Sequence, residues 1–256
     1  MILLPRVMPV LLLRGRGLVK TTAFRNPVYL GDPVNVIRIF NDKEVDELTL
    51  LDIEATRQRR GPNVPLLREI ASECFMPLGY GGGITTVDQV RQLLALGLEK
   101  VVINSRAADD PSFVTAAAEQ AGSQSVVVSI DVKRRLFGGA RVMTRAGTHD
   151  TGADPAAYAE EMQKRGAGEL VVNAIDRDGT MRGYDLDLVR SVASAVDIPV
   201  VACGGASGVA DFGRAVAAGA SAVAAGAMFV FQGAHRGVLI SFPARRDLEE
   251  TFDAES

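Results

Sequence analysis

Apolar runs of four to eight residues recur along the chain at 6–13, 47–53, 77–80, 100–103, 125–131, 169–175, 199–202 and 222–225. Between them the period changes, and 87–96, 155–165 and 186–196 carry their apolar residues at helical spacing. Strands this apolar, alternating with helices, predict a parallel sheet covered on its faces. Eight such units in 256 residues predict an α/β chain closed into a (β/α)₈ barrel, whose usual size is about 250 residues. An open, doubly wound sheet is the rival on this pattern alone.

An internal repeat favours the barrel. MPLGYGGGITTVDQVRQLLALG (76–97) aligns without a gap to IPVVACGGASGVADFGRAVAAG (198–219), so that Pro77 and Pro199, Gly82 and Gly204, and Gly97 and Gly219 are each 122 residues apart. Glu47 and Glu169 keep the same spacing. That period is too long for a solenoid and suits two half-barrels of four βα units each. The barrel is expected over residues 1–243, with a charged, frayed tail at 244–256.

Composition removes several function classes. A net charge of −3 carries no polyanion-binding signal, so no nucleic acid is expected as partner. Two cysteines make no disulfide framework, which favours a reducing, cytoplasmic setting. No run of about 18 apolar residues is present, so no membrane partner is expected. Asp176 and Asp178 lack a third ligand at recognisable spacing, so no metal is expected, and nothing implies a cofactor.

Active sites of such barrels lie at the C-terminal strand ends. There the third and seventh strands end in Gly82-Gly83 and Gly204-Gly205, and the fourth and eighth in Asn104-Ser105 and Gly226-Ala227. Glycine lets a backbone approach an anion closely, so each half offers a phosphate cradle for a phosphorylated small molecule. The plainer alternative is that these glycines serve only tight turns. The segment 134–144 is expected to form a hairpin over the fifth strand.

GDPV (31–34), GGGI, GSQSVVVSIDVKR, TGADP, KRGAGEL and IDRDGTMRGYD together resemble the cyclase subunit (HisF) family of imidazole glycerol phosphate synthase over nearly the whole chain. The resemblance implies a lyase of histidine biosynthesis, in which a HisH-like glutaminase docks on the N-terminal barrel face and sends ammonia through the barrel. Lys20, Asp52, Asp178 and Gly179 match the family's substrate-binding pattern, and Asp131 matches one of its two acid–base aspartates. The other aspartate falls at Leu12. No acidic residue precedes Asp32, so no slip of alignment supplies the missing carboxylate. Leucine moves no proton, and positioned acid–base catalysis is typically worth about 10²–10⁴-fold. Ala146 and Asn173 also replace the family's usual serine and threonine.

The opposite face matches better. Arg6, Glu47, Lys100 and Glu169 begin their strands where the family has a charged ring that gates ammonia. Such charges can also simply plug a barrel floor, yet a buried ionic plug is often no more stable than an apolar one. LVKTTAF (18–24), FNDKEVDEL (40–48), PLGYGGGI and FVFQGAHRGVLISFP (229–243) further resemble the WbuZ-like barrels of surface-polysaccharide (O-antigen) clusters. That group implies ammonia delivery from a glutaminase to a sugar amidotransferase, turning an acetamido group into an acetamidino group. A non-catalytic phosphate-binding scaffold is the third alternative.

Overall fold

The computed structural model describes residues 4–135, 139–233 and 235–253. Eight parallel strands follow the predicted runs: β1 (Arg6–Arg14), β2 (Leu48–Asp52), β3 (Leu78–Gly81), β4 (Lys100–Ile103), β5 (Val126–Arg134), β6 (Glu169–Ala174), β7 (Val200–Cys203) and β8 (Ala222–Ala225). Each pairs with its successor, and β8 returns to β1 with Arg6 beside Ala222, which closes the barrel. The open sheet is thereby excluded.

Eight helices cover the strands: α1 (Pro33–Asp42), α2 (Val64–Glu73), α3 (Val87–Ala95), α4 (Ser112–Ala121), α5 (Pro155–Lys164), α6 (Leu186–Ala193), α7 (Val209–Ala217) and α8 (Arg245–Asp253). Their starts are written locally. Asp32 and Asp154 accept from backbone N–H groups ahead of Pro33 and Pro155, and Thr86 with Gln89 forms a capping box. The half-barrel repeat reappears as a short extra helix after the last strand of each half, Ser105–Asp109 after β4 and Ala227–Val230 after β8. None of the described helices is long and apolar enough to cross a membrane.

Two cores result. The larger lies between strands and helices, where Phe40, Ile37, Phe212 and Phe229 are fully enclosed. The smaller fills the barrel itself with Met8, Val201, Cys203, Ala222 and Ala224, bordered by Val10 and Val171.

Two features depart from expectation. Within the segment expected to fray, residues 245–253 form α8, whose Leu248 and Phe252 are buried, and α8 packs on α7 as the last outer helix. The spacing of that apolar pair places both on one face, and Arg245–Glu249 and Arg246–Glu250 pair along the exposed side. The second is an antiparallel ribbon after β1, made of Gly17–Thr22 and Arg25–Gly31, which carries Lys20 and Thr21 over the mouth. The hairpin expected on β5 is present as Ala140–Thr144 paired against it, and 136–138 at its tip lies outside the described residues.

Candidate functional site at the two ends of the barrel

At the N-terminal end, four strand-start side chains form one closed ionic ring. Arg6 donates to both Glu47 and Glu169 through separate guanidinium nitrogens. Lys100 Nζ donates to Glu47 Oε2 at 2.9 Å and to Glu169 Oε1 at 3.1 Å. The two carboxylates are buried, whereas the Arg6 side chain keeps 34% of its surface exposed and faces outward. Burial disfavours the Arg6 cation, but Glu169 and then Glu47 outweigh it and hold its pKa above the usual value. All four residues picked out from the sequence meet in one ring.

At the C-terminal end, the strand ends and the ribbon enclose a cavity of about 490 Å³. Asp131, at a strand position whose side chain turns inward, lies deep in its wall. Burial, reinforced by the charge of Asp178, pushes its pKa up to about 7, although Asn173 Nδ2 and Ser129 Oγ donate to its Oδ1 at 3.3 and 3.4 Å. A carboxyl poised near neutrality is what proton transfer requires.

Leu12 lines the same cavity, buried, with Leu51 and Val19 beside it in the sheet. Asp32, the first acid of the chain, is committed elsewhere as the N-cap of α1. Asp178 is close enough to perturb Asp131 but is itself clasped by Lys20 Nζ at 2.8 and 2.9 Å. Asp52 is equally occupied: Arg60 grips both its oxygens at 2.8 and 3.0 Å, and its Oδ1 accepts from the N–H groups of Glu54 and Ala55. The capture by Arg60 was not readable from the chain. Cys203 also lines the cavity, but burial pushes its thiol up to about 12, which leaves it a filler and no nucleophile.

The two glycine cradles are not equivalent. Gly82, Gly83, Asn104 and Ser105 border the cavity, whereas of the second set only Gly226 does. Gly179, Gly204, Gly205 and Ala227 are buried. Gly82 has φ of +123°, and a Cβ on it would lie 2.5 Å from the Asp52 carbonyl; on Gly205, at φ of +116°, it would lie 2.2 Å from the Gly183 carbonyl. Close packing alone therefore demands glycine at both places. Among the described residues, no three His, Cys, Asp or Glu side chains gather as metal ligands.

A closed (β/α)₈ barrel with a cavity at the C-terminal strand ends and an ionic ring at the other defines the class. Residues 6–236 match the family model described as "Histidine biosynthesis protein". The chain is 51% identical over 242 residues to the "Putative imidazole glycerol phosphate synthase subunit hisF2" of Pseudomonas aeruginosa, covering 93% of this chain and 95% of the relative. It is 45% identical to "Putative imidazole glycerol phosphate synthase subunit hisF3" of Vibrio vulnificus, with 97% and 96% covered. To the "Imidazole glycerol phosphate synthase subunit HisF" of a Synechocystis strain it is 44% identical, with 80% of each covered. The chain belongs to the HisF family of histidine biosynthesis proteins.

Proposed function

We propose that this barrel conducts ammonia from a glutaminase, docked on the N-terminal face, toward a sugar amidotransferase that converts an acetamido group of a surface polysaccharide into an acetamidino group. The observation that carries the reading is an asymmetry between the ends. The floor keeps a complete ring of Arg6, Glu47, Lys100 and Glu169, while the mouth has Leu12 where acid–base chemistry needs a second carboxylate. Ammonia is small and neutral, and the barrel between the two ends is walled by Met8, Val10, Val171, Val201, Ala222 and Ala224, which hold no charge that would trap it. The outward exposure of Arg6 gives an arriving partner a handle on the ring, since breaking one of its ion pairs frees a carboxylate and loosens the floor. The likeness of 18–24, 40–48 and 229–243 to barrels of polysaccharide clusters supplies the acceptor. At the mouth, the Gly82-Gly83 and Asn104-Ser105 turns keep a site for a phosphorylated small molecule.

Reconstitution with a HisH-like glutaminase tests the conduit. Glutamine hydrolysis is expected to rise at least about tenfold on adding the barrel, and Arg6→Ala is expected to abolish most of that rise. Absence of both binding and stimulation would defeat the proposal.

A second reading, a cyclase working through Asp131 and another group, draws on one observation, the raised pKa of about 7 at that buried carboxyl. It requires the parent to turn over the doubly phosphorylated ribonucleotide with ammonium salts, and Leu12→Asp to increase that turnover by about 10²–10⁴-fold. Under the conduit reading neither protein turns it over detectably.

A further inference from the structure

The floor of the mouth cavity is the top of the barrel interior, since Met8, Val10, Val171, Cys203 and Ala224 border both. The wall around it carries two apolar exchanges: Leu12 and Ala146 line the cavity at positions where the resemblance expects an aspartate and a serine. Four buried charged residues also line it, namely Lys20, Asp52, Asp131 and Asp178. Lys20 pairs with Asp178, and Asp52 with Arg60. Among the described residues, Asp131 alone of the four has no ion-pair partner.

Two buried polar atoms in the same wall are unsatisfied. Thr21 Oγ1 and Asn173 Oδ1 have no hydrogen-bond partner, in residues 4% and 8% exposed that both line the cavity. The Asn173 amide has a fixed sense, because its Nδ2 donates to Asp131 Oδ1 at 3.3 Å, so its carbonyl oxygen is the free end. Buried polar atoms normally meet a partner, and leaving one unmet costs stability.

These features specify a ligand group. It must donate one hydrogen bond to the Asn173 carbonyl and accept one from the Thr21 hydroxyl. It must be uncharged, since an anion would be repelled by Asp131 and the cations nearest it are already taken. It must also present a small apolar end to Leu12 and Ala146. A sugar hydroxyl meets the first three needs and fails the last. A secondary acetamide meets all four: its N–H donates, its carbonyl accepts, and its methyl is apolar. The cavity, about 490 Å³, falls in the range of small-molecule sites, roughly 300–1,000 Å³, and has room for the sugar ring that bears it.

We propose that the mouth cavity is an acetamido-binding site, in which Asn173 and Thr21 hold the amide of an N-acetylated sugar and Leu12 and Ala146 pack its methyl. The acetamido group then sits over the apolar interior of the barrel, where ammonia would emerge. This rests on the reading of the barrel as a supplier of ammonia to an acetamido sugar, and it gives the loss of the aspartate at Leu12 a purpose in binding.

NMR titration of the full chain with N-acetylglucosamine and with glucose tests it. N-acetylglucosamine should bind saturably and about tenfold or more tightly than glucose, because a site built to hydrogen-bond a group rejects the analogue that lacks it. Saturation transfer from the protein should be strongest at the acetyl methyl protons. Thr21→Val removes only the unpartnered hydroxyl, so it should weaken N-acetylglucosamine about fivefold or more while the melting temperature holds or rises. The comparison of the two sugars needs no variant and stands if Thr21→Val does not fold. No saturable binding, equal affinity for glucose, transfer confined to the ring protons, or undiminished binding by a folded Thr21→Val would each overturn the proposal. No glutaminase is present in this experiment, so its failure and failure of the conduit are separate results.

Discussion

Asp131→Asn is expected to stabilise the protein strongly at pH 8 and hardly at all at pH 4. The folded pKa of Asp131 is pushed up to about 7 from the ordinary 3.8, mainly by burial. A group shifted upward contributes its full stability below the unfolded pKa and loses it as pH rises through the folded one. The parent should therefore lose stability between about pH 4 and 7, by up to about 4 kcal/mol for a shift of this size. Asparagine keeps the oxygen that accepts from Asn173 and Ser129 but never ionises. Urea unfolding of both proteins from pH 4 to 8 should give curves that meet at the acid end and separate at the alkaline end. Parallel curves would mean that Asp131 is better solvated than its surroundings imply. A large separation would mark Asp131 as a group held at a cost in stability, the usual sign of a functional carboxyl.

The second large effect belongs to the floor. Lys100→Met should cost about 3–5 kcal/mol at neutral pH, because it leaves Glu47 and Glu169 buried with only Arg6 between them. Two buried carboxylates are then left to share one cation, the uncompensated arrangement that makes breaking a buried ion pair costly. Adding Glu169→Gln should return most of the stability, since the ring is then a single Arg6–Glu47 pair. A loss below about 1 kcal/mol would show that the four charges are independently solvated.

Much of this architecture was legible in the chain because barrel strands are governed by short-range rules. Strands apolar on both faces, proline and aspartate at helix starts, and a repeat of fixed length all survive without knowledge of partners. The ring was readable for the same reason: a charge opening an otherwise apolar strand has only the floor to occupy. Leu12 was readable because the residues around it contain no acid at all. Where long-range pairing decides the outcome, the sequence fell silent. The ribbon strand Arg25–Gly31 is exposed over most of its length and has no alternation to announce it; it exists because Gly17–Thr22 offers an edge. The occupation of Asp52 by Arg60 and of Asp178 by Lys20 depends on loops meeting in space. The helix at 245–253 is a different case, since its apolar pair Leu248 and Phe252 and its flanking ion pairs carried the signal, and the density of charge obscured it.

The seam between β1 and β8, where Arg6 lies beside Ala222, also sets the order in which the molecule can be built. As the chain leaves the ribosome, the segment bearing Arg6 emerges more than 200 residues before the edge it must join. Until then β1 has one free edge, and Arg6 and Glu169 of the ring belong to halves that have not yet closed on each other. The half-barrels can gather their own strands locally, but the floor is finished only when the two meet, so any contact that needs an intact ring is withheld from an unfinished chain.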